Sequence, residues 1–138
     1  MKNKNCIFCE IAKGNAQSDI ILEDEHSVAF FDINPANPYH TLVISKQHYE
    51  NIYDIEDASY CNVALLAKKV AKLYEKNLGI KNVQLINSSG LDAQQDVNHF
   101  HIHVLPRVSG DGNNIKWNIK TEIKQDFSLL KSKIFNQT

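Results

Sequence analysis

Residues 98–107 read "NHFHIHVLPR", with His99, His101 and His103 at every second position and Phe100, Ile102 and Val104 completing the alternation. A period of two is the pattern of an extended strand, whose successive side chains point to opposite faces. One face is then apolar and suited to packing under a helix. The other, expected to be the more open face, carries three imidazoles roughly 6–7 Å apart from one to the next. The chain has six histidines, so three on one strand face call for a chemical reason. Two reasons fit. The imidazoles could ligate a catalytic metal such as zinc, or one of them could act as nucleophile or general base while its neighbours orient it and hold substrate. Local spacing does not separate the two.

Outward from this strand, "TLVIS" and "VQLIN" are short β-branched runs suited to buried strands. Two further strands are expected around residues 20–22 and 27–31, on either side of the polar turn "EDEH". "INPANPYH" is a loop, because Pro35 and Pro38 each remove a donor and bias the preceding residue away from helix. Val63, Leu66, Ala67, Val70, Leu73 and Tyr74 recur at helical spacing, which predicts a long helix over residues 57–78 closed by Gly79. "CIFCEIAKGN" reads as a short helical turn stopped at Gly14, "SSGLDAQQD" as a loop, and residues 122–135 as a second helix. Strands in succession with the helices set apart predict an α+β fold built on an antiparallel sheet. No repeat or linker divides residues 1–138, so one domain is expected.

The net charge of -1 and the lack of a Lys/Arg run argue against nucleic acid or an anionic membrane surface as partner. The chain has no apolar run of the length a secretory signal or membrane span needs, so a cytoplasmic location is expected. Three cysteines in a reducing compartment do not form a disulfide framework. Cys61 falls within the long helical pattern and is expected to be a buried apolar filler. Cys6-x-x-Cys9 suggests structural zinc, since the redox use of that motif expects a strand before it and nothing like one precedes Cys6.

"HFHIHVL" has the form His-φ-His-φ-His-φ-φ, with φ apolar, and resembles the signature of the histidine triad (HIT) family of nucleotide hydrolases and transferases. "CIFCEIAKG", "EDEHSVAFFDINP", "HTLVISKQH" and "INSSG" resemble further blocks of that family in the same order, so the likeness covers most of residues 6–107 and leaves 108–138 as an extension. The bacterial Hint-like branch is the most similar. The nucleotidylyltransferase branch carries glutamine in place of the third histidine; His103 here favours hydrolysis.

The resemblance implies a HIT-like sheet of about five strands and a mechanism in which His101 attacks the α-phosphorus of a nucleotide, with water hydrolysing the nucleotidyl-histidine. A main-chain carbonyl near His99 would pin the other ring nitrogen of His101. His103 would donate to the phosphate oxygens, and Asn87 and Gln95 would be further donors. Phe8, Ile11, Phe30 and Ile33 match the base-binding positions and Asp32 the carboxylate for the ribose hydroxyls, which suits a purine nucleotide without choosing adenine over guanine. Cys6, Cys9, His48 and His99 match the ligands of a structural zinc, and no catalytic cofactor is implied. Family members pair, so a homodimer is expected. The implied activity is hydrolysis of a purine nucleoside phosphoramidate to the monophosphate. A dinucleoside polyphosphate hydrolase, to whose branch "LPRVSGDG" is similar, and a non-catalytic nucleotide-binding module are the alternatives. Two residues depart from the pattern. Gln94 stands where glycine is usual, and Asp96 where Ser or Thr often donates toward the leaving group; a carboxylate there accepts and repels phosphate.

Overall fold

The β-branched runs become strands where their pattern puts them. In the computed structural model, which describes residues 5–136, they are β1 (Ile20–Glu23), β2 (Ser27–Phe31), β3 (Thr41–Ser45), β4 (Val83–Ile86) and β5 (His101–Pro106). They form one antiparallel sheet in the order β1-β2-β3-β5-β4, so the histidine strand is interior, between β3 and β4. Helices α1 (Ile7–Ala12), α2 (Asp57–Leu78) and α3 (Phe127–Phe135) complete the α+β architecture.

The register sorts the sheet into two faces. Val43 lies opposite Ile102 and Thr41 opposite Val104, while Leu42 lies opposite His103 and Ile44 opposite His101. Ala29, Val43, Phe100, Ile102 and Val104 pack under the α2 stripe of Val63, Leu66, Ala67, Val70 and Tyr74. Each large aliphatic side chain buried there contributes roughly 1.5–3 kcal/mol. Gly79 ends α2 at φ 71°, a conformation that glycine adopts without a Cβ penalty.

The other face is not open, contrary to the expectation from alternation. Phe8, Cys9 and Ile11 of α1 pack with Val28, Phe30, Leu42 and Ile44, and His99 and His101 are 0% and 2% exposed beneath them. Strand β5 also begins two residues later than expected: the Phe100 N–H donates to the Tyr49 carbonyl at 2.7 Å, so the chain around His99 is bonded to the loop after β3. Cys61 is exposed rather than a core filler, because it stands two residues before Val63 and therefore about 200° around the helix from the buried stripe. The expected C-terminal helix divides into a 3₁₀ turn, Thr121–Asp126, and α3, whose Phe127, Leu129, Leu130, Ile134 and Phe135 are all exposed.

The "RVSGD" stretch is a loop staple. Arg107 grips Asp111 through Nε and Nη2 at 2.8 and 3.1 Å, and Asn37 Nδ2 donates to the same carboxylate at 2.8 Å, tying the loop after β5 to the loop before β3. Among the described residues no helix is long and apolar enough to cross a membrane.

Candidate active site and metal centre

The hydrogen-bond partners assign a tautomer to each neutral imidazole. His101 Nδ1 meets the His99 carbonyl at 2.8 Å, so Nδ1 holds the proton and Nε2 keeps its lone pair. That carbonyl is the acceptor the resemblance implied. His40 Nδ1 accepts from the Ala36 N–H at 3.0 Å, so Nε2 holds the proton of His40 and donates it to His103 Nδ1 at 2.9 Å. His103 is left with an Nε2–H donor. Burial pushes His103 down to about 4, helped by the nearby His101 and His40 and opposed by Asp32 and Asp96. His103 is therefore a neutral hydrogen-bond donor at pH 7 rather than an acid. Burial lowers His40 too, against the pull of Asp32, whose Oδ2 lies 3.5 Å from His40 Nε2 and 4.0 Å from His103 Nδ1.

His40 is the functional residue that reading the strand pattern missed. Its signal was in the register. Leu42 faces His103, so the residue two before Leu42 is a diagonal neighbour of His103 on the same face. The preceding Tyr39 sits at φ 69° and is fixed by its ring against Phe31 and Tyr74, which turns the chain at the start of β3 just before His40.

A pocket of about 250 Å³ opens onto His101 and His103. Phe8, Ile11, Phe30 and Leu42 give it an apolar wall, with Phe8 edge-on to Phe30 at 5.5 Å and to His101 at 5.4 Å between ring centroids. Ile33 also lines it but is 86% exposed, at the rim. Asp32 and Asp96 are its two carboxylates, Asp96 Oδ1 lying 3.8 Å from His101 Nε2.

Asn87 and Gln95, the two amides expected at the phosphate, are engaged elsewhere. Asn87 Nδ2 donates to the His101 carbonyl at 2.9 Å, which steadies β5 from behind. Gln95 Nε2 donates to the Glu50 and Val97 carbonyls at 2.7 and 3.0 Å, and its Oε1 accepts the Gly90 N–H at 2.8 Å. Gln95 thus staples the loop that carries Asp96. Gln94 occupies the left-handed region at φ 71°, which accounts physically for why glycine suits that position.

The first triad histidine, His99, faces away from this chemistry. His99 Nε2 donates to the Ser45 carbonyl at 2.7 Å, leaving Nδ1 to face Cys6 Sγ at 3.3 Å and Cys9 Sγ at 3.5 Å. His48 Nδ1 lies 3.2 Å from Cys9 Sγ, and the four donor atoms all fall within 4.8 Å of one another. A tetrahedral ion with ligands at about 2.0 Å (N) and 2.3 Å (S) needs donors spaced close to these values. The donor set therefore fits zinc, and the Ser45 carbonyl supplies the outer hydrogen bond that orients a ligating histidine. Burial and the neighbouring Cys6 push the Cys9 thiol up to about 11, so the Cys9 sulfur stays protonated unless a cation stabilises its thiolate. Among the described residues, His99, His101 and His103 do not converge as one ligand set, which removes the catalytic-metal reading of the triad.

An antiparallel sheet with alternating histidines leading into and along an interior strand, the middle one pinned by the carbonyl of the first, defines a histidine triad protein. The HIT domain family model matches residues 13–110, and the chain belongs to the HIT family. It is 43% identical over 112 residues to an uncharacterised HIT-like protein of Methanocaldococcus jannaschii, covering 81% of this chain and 86% of that one. It is 34% identical over 114 residues to the adenosine 5'-monophosphoramidase hnt1 of Schizosaccharomyces pombe, covering 82% and 83%. Among solved structures, a HIT family protein from Bacillus subtilis superposes with a TM-score of 0.80 at 34% identity, over 98% of this chain and all of that one. A Zn-bound histidine triad protein from Mycobacterium smegmatis superposes at 0.76 and 29% identity, over 94% and 97%.

Proposed function

We propose that the protein hydrolyses purine nucleoside phosphoramidates or related nucleotide conjugates at the α-phosphate, through a nucleotidyl-His101 intermediate. The observation that carries this reading is the His101 Nδ1 bond to the His99 carbonyl, which leaves the Nε2 lone pair facing the pocket. The likeness to the fission-yeast phosphoramidase supports the substrate class. Nε2 attacks phosphorus, the P–N bond breaks, and its electron pair leaves on the amine, which takes a proton from water at the pocket mouth. Water then attacks the phosphorus and loses a proton to solvent, the Nε2–P bond breaks with its pair returning to His101, and the monophosphate departs. The His103 Nε2–H donates to the phosphoryl oxygens throughout, and the His40 proton holds His103 in the tautomer that can do so. Phe8, Ile11, Phe30 and Ile33 form the base slot, and Asp32 takes the ribose hydroxyls. Asn87 and Gln95 position the strand and loop around the phosphate.

Structural zinc on Cys6, Cys9, His48 and His99 belongs to the same proposal, supported by the donor spacing and by the zinc-bound relative. A reducing, cytoplasmic setting suits free thiols of this kind. A homodimer is supported by the outer edge of β4, which pairs with no strand among the described residues, and by exposed Leu85 on that strand.

The test is chromatographic detection of AMP released from adenosine 5'-phosphoramidate by the wild type and by His101→Ala. The wild type should release it, and the variant should lose about a thousandfold or more, as expected when a covalent nucleophile is removed. Binding of AMP by both with release by neither would leave a nucleotide-binding module instead.

A further inference from the structure

We propose that Asp96 makes the leaving-group end of this pocket selective for cationic amines and unfavourable to polyanions. The inference rests on the hydrolase reading above and adds to it a class of departing group. It begins with the pocket's charge inventory. Fourteen side chains line the pocket; two, Asp32 and Asp96, are carboxylates, and no lysine or arginine is among them. A site that receives several phosphates ordinarily surrounds them with cations or oriented N–H groups. This one offers His103 Nε2–H and the neutral side chains of Gln17, Ser18 and Asn34, with no cation among them.

The two carboxylates stand at different ends. Asp32 lies beside His103 and His40, with its side chain 15% exposed, next to the apolar wall that would hold the base. Asp96 lies beside His101, with its side chain 78% exposed, at the solvent end. Phosphorus must sit against His101 Nε2, the nucleoside occupies the apolar end, and what remains of the substrate extends past Asp96. A phosphoramidate of a single phosphate brings one charged phosphoryl group to that point. A dinucleoside polyphosphate brings several, each within a few ångströms of a carboxylate, where like charges repel. An ammonium group carried on the departing amine meets the same carboxylate with attraction. The Gln95 staple keeps Asp96 from swinging clear, because the Gln95 amide is bonded to main-chain groups on both sides of the loop.

The experiment compares AMP release from two adenosine phosphoramidates of equal tail length, one ending in an ammonium group and one in a methyl group, and from diadenosine triphosphate. Wild type and Asp96→Asn are measured at low and high ionic strength. Because Asp96 is exposed, the variant is expected to fold, and the effect is that of a solvent-screened charge. Wild-type kcat/KM should favour the ammonium tail by about two- to fivefold at low salt. The preference should fade with salt and vanish in Asp96→Asn, which should gain on diadenosine triphosphate relative to the methyl-tailed substrate. An equal ammonium preference in both proteins, or wild-type turnover of diadenosine triphosphate as fast as of the phosphoramidates, would overturn the role of Asp96. Wild type that releases no AMP from any of the three would instead bring down the hydrolase reading, and this inference with it.

Discussion

His99 and His103 stand two residues to either side of His101, and burial pushes both down to about 4, yet they face different chemistry. His99 turns Nδ1 to two sulfurs brought by α1 and donates Nε2–H to Ser45. His103 turns Nδ1 to His40 and leaves Nε2–H for the pocket. The sequence supplies identical side chains at identical spacing; the element packed against each one decides which group each ring nitrogen faces. Position in the alternation therefore carries less information than the tautomer, which for His99 and His103 is set by β3 and the residue before it.

The strongest way to break the comparison is to remove the sulfur side. Purified protein should contain one zinc per chain by elemental analysis, and Cys9→Ser or prolonged chelation should remove it at a cost of several kcal/mol, read as a drop in unfolding midpoint. Phe8 and Ile11, on the same helix, wall the pocket, so AMP release should fall in parallel. His103→Gln should keep its zinc. Metal-free protein with an unchanged midpoint would mean that packing alone holds α1, and the two ends of the strand would no longer differ in kind.

The second test sharpens the His103 end through pH. An ordinary histidine takes a proton near pH 6.5, and buried His103 does so only near 4. Between those values the unfolded chain binds the proton and the folded chain does not, so stability falls as pH drops. The contribution is complete above about pH 6.5 and lost by about pH 4, roughly 3 kcal/mol in all. Urea unfolding at pH 7, 5.5 and 4 should show wild type losing more stability across this window than His103→Gln. Equal losses would place the acid sensitivity elsewhere.

Much of this fold was legible because burial on a strand or helix leaves a local period. Alternation at residues 100–104 and the stripe from Val63 to Tyr74 each encode a face, and both faces pack as read. The same logic misplaced Cys61, since lying within a helical pattern does not by itself say which way a side chain points. The Cys6, Cys9, His48 and His99 set was readable only through family likeness, because its members are spread over 94 positions and meet through α1 docking on the sheet. His40 needed the register of β3 against β5, a long-range fact. The bonds of Gln95 to the Glu50 and Val97 carbonyls were not legible, because an amide stapling a loop to main-chain carbonyls has no sequence signature.

The smallest effect separates the two loops that feed the ends of the site. Each has one non-glycine residue in the left-handed region: Gln94 before the His99 end and Tyr39 before His40. The strain is similar in kind, about 1–2 kcal/mol for a residue with a Cβ, but its compensation is not. Tyr39 packs its ring at 5.5 Å from Tyr74 and 6.2 Å from Phe31, so glycine there would relieve strain and lose more in packing. Gln94 is exposed at the end of a 3₁₀ turn, with its backbone N–H on the Leu91 carbonyl. Glycine at 94 would relieve the strain and add only the extra freedom of the unfolded chain, roughly 0.5–1 kcal/mol. Gln94→Gly should therefore stabilise by about 0.5 kcal/mol and Tyr39→Gly should destabilise, as read by urea unfolding at pH 7. The same sign at both positions would mean that packing does not distinguish the loops, and that Tyr39 is not what sets the turn into His40.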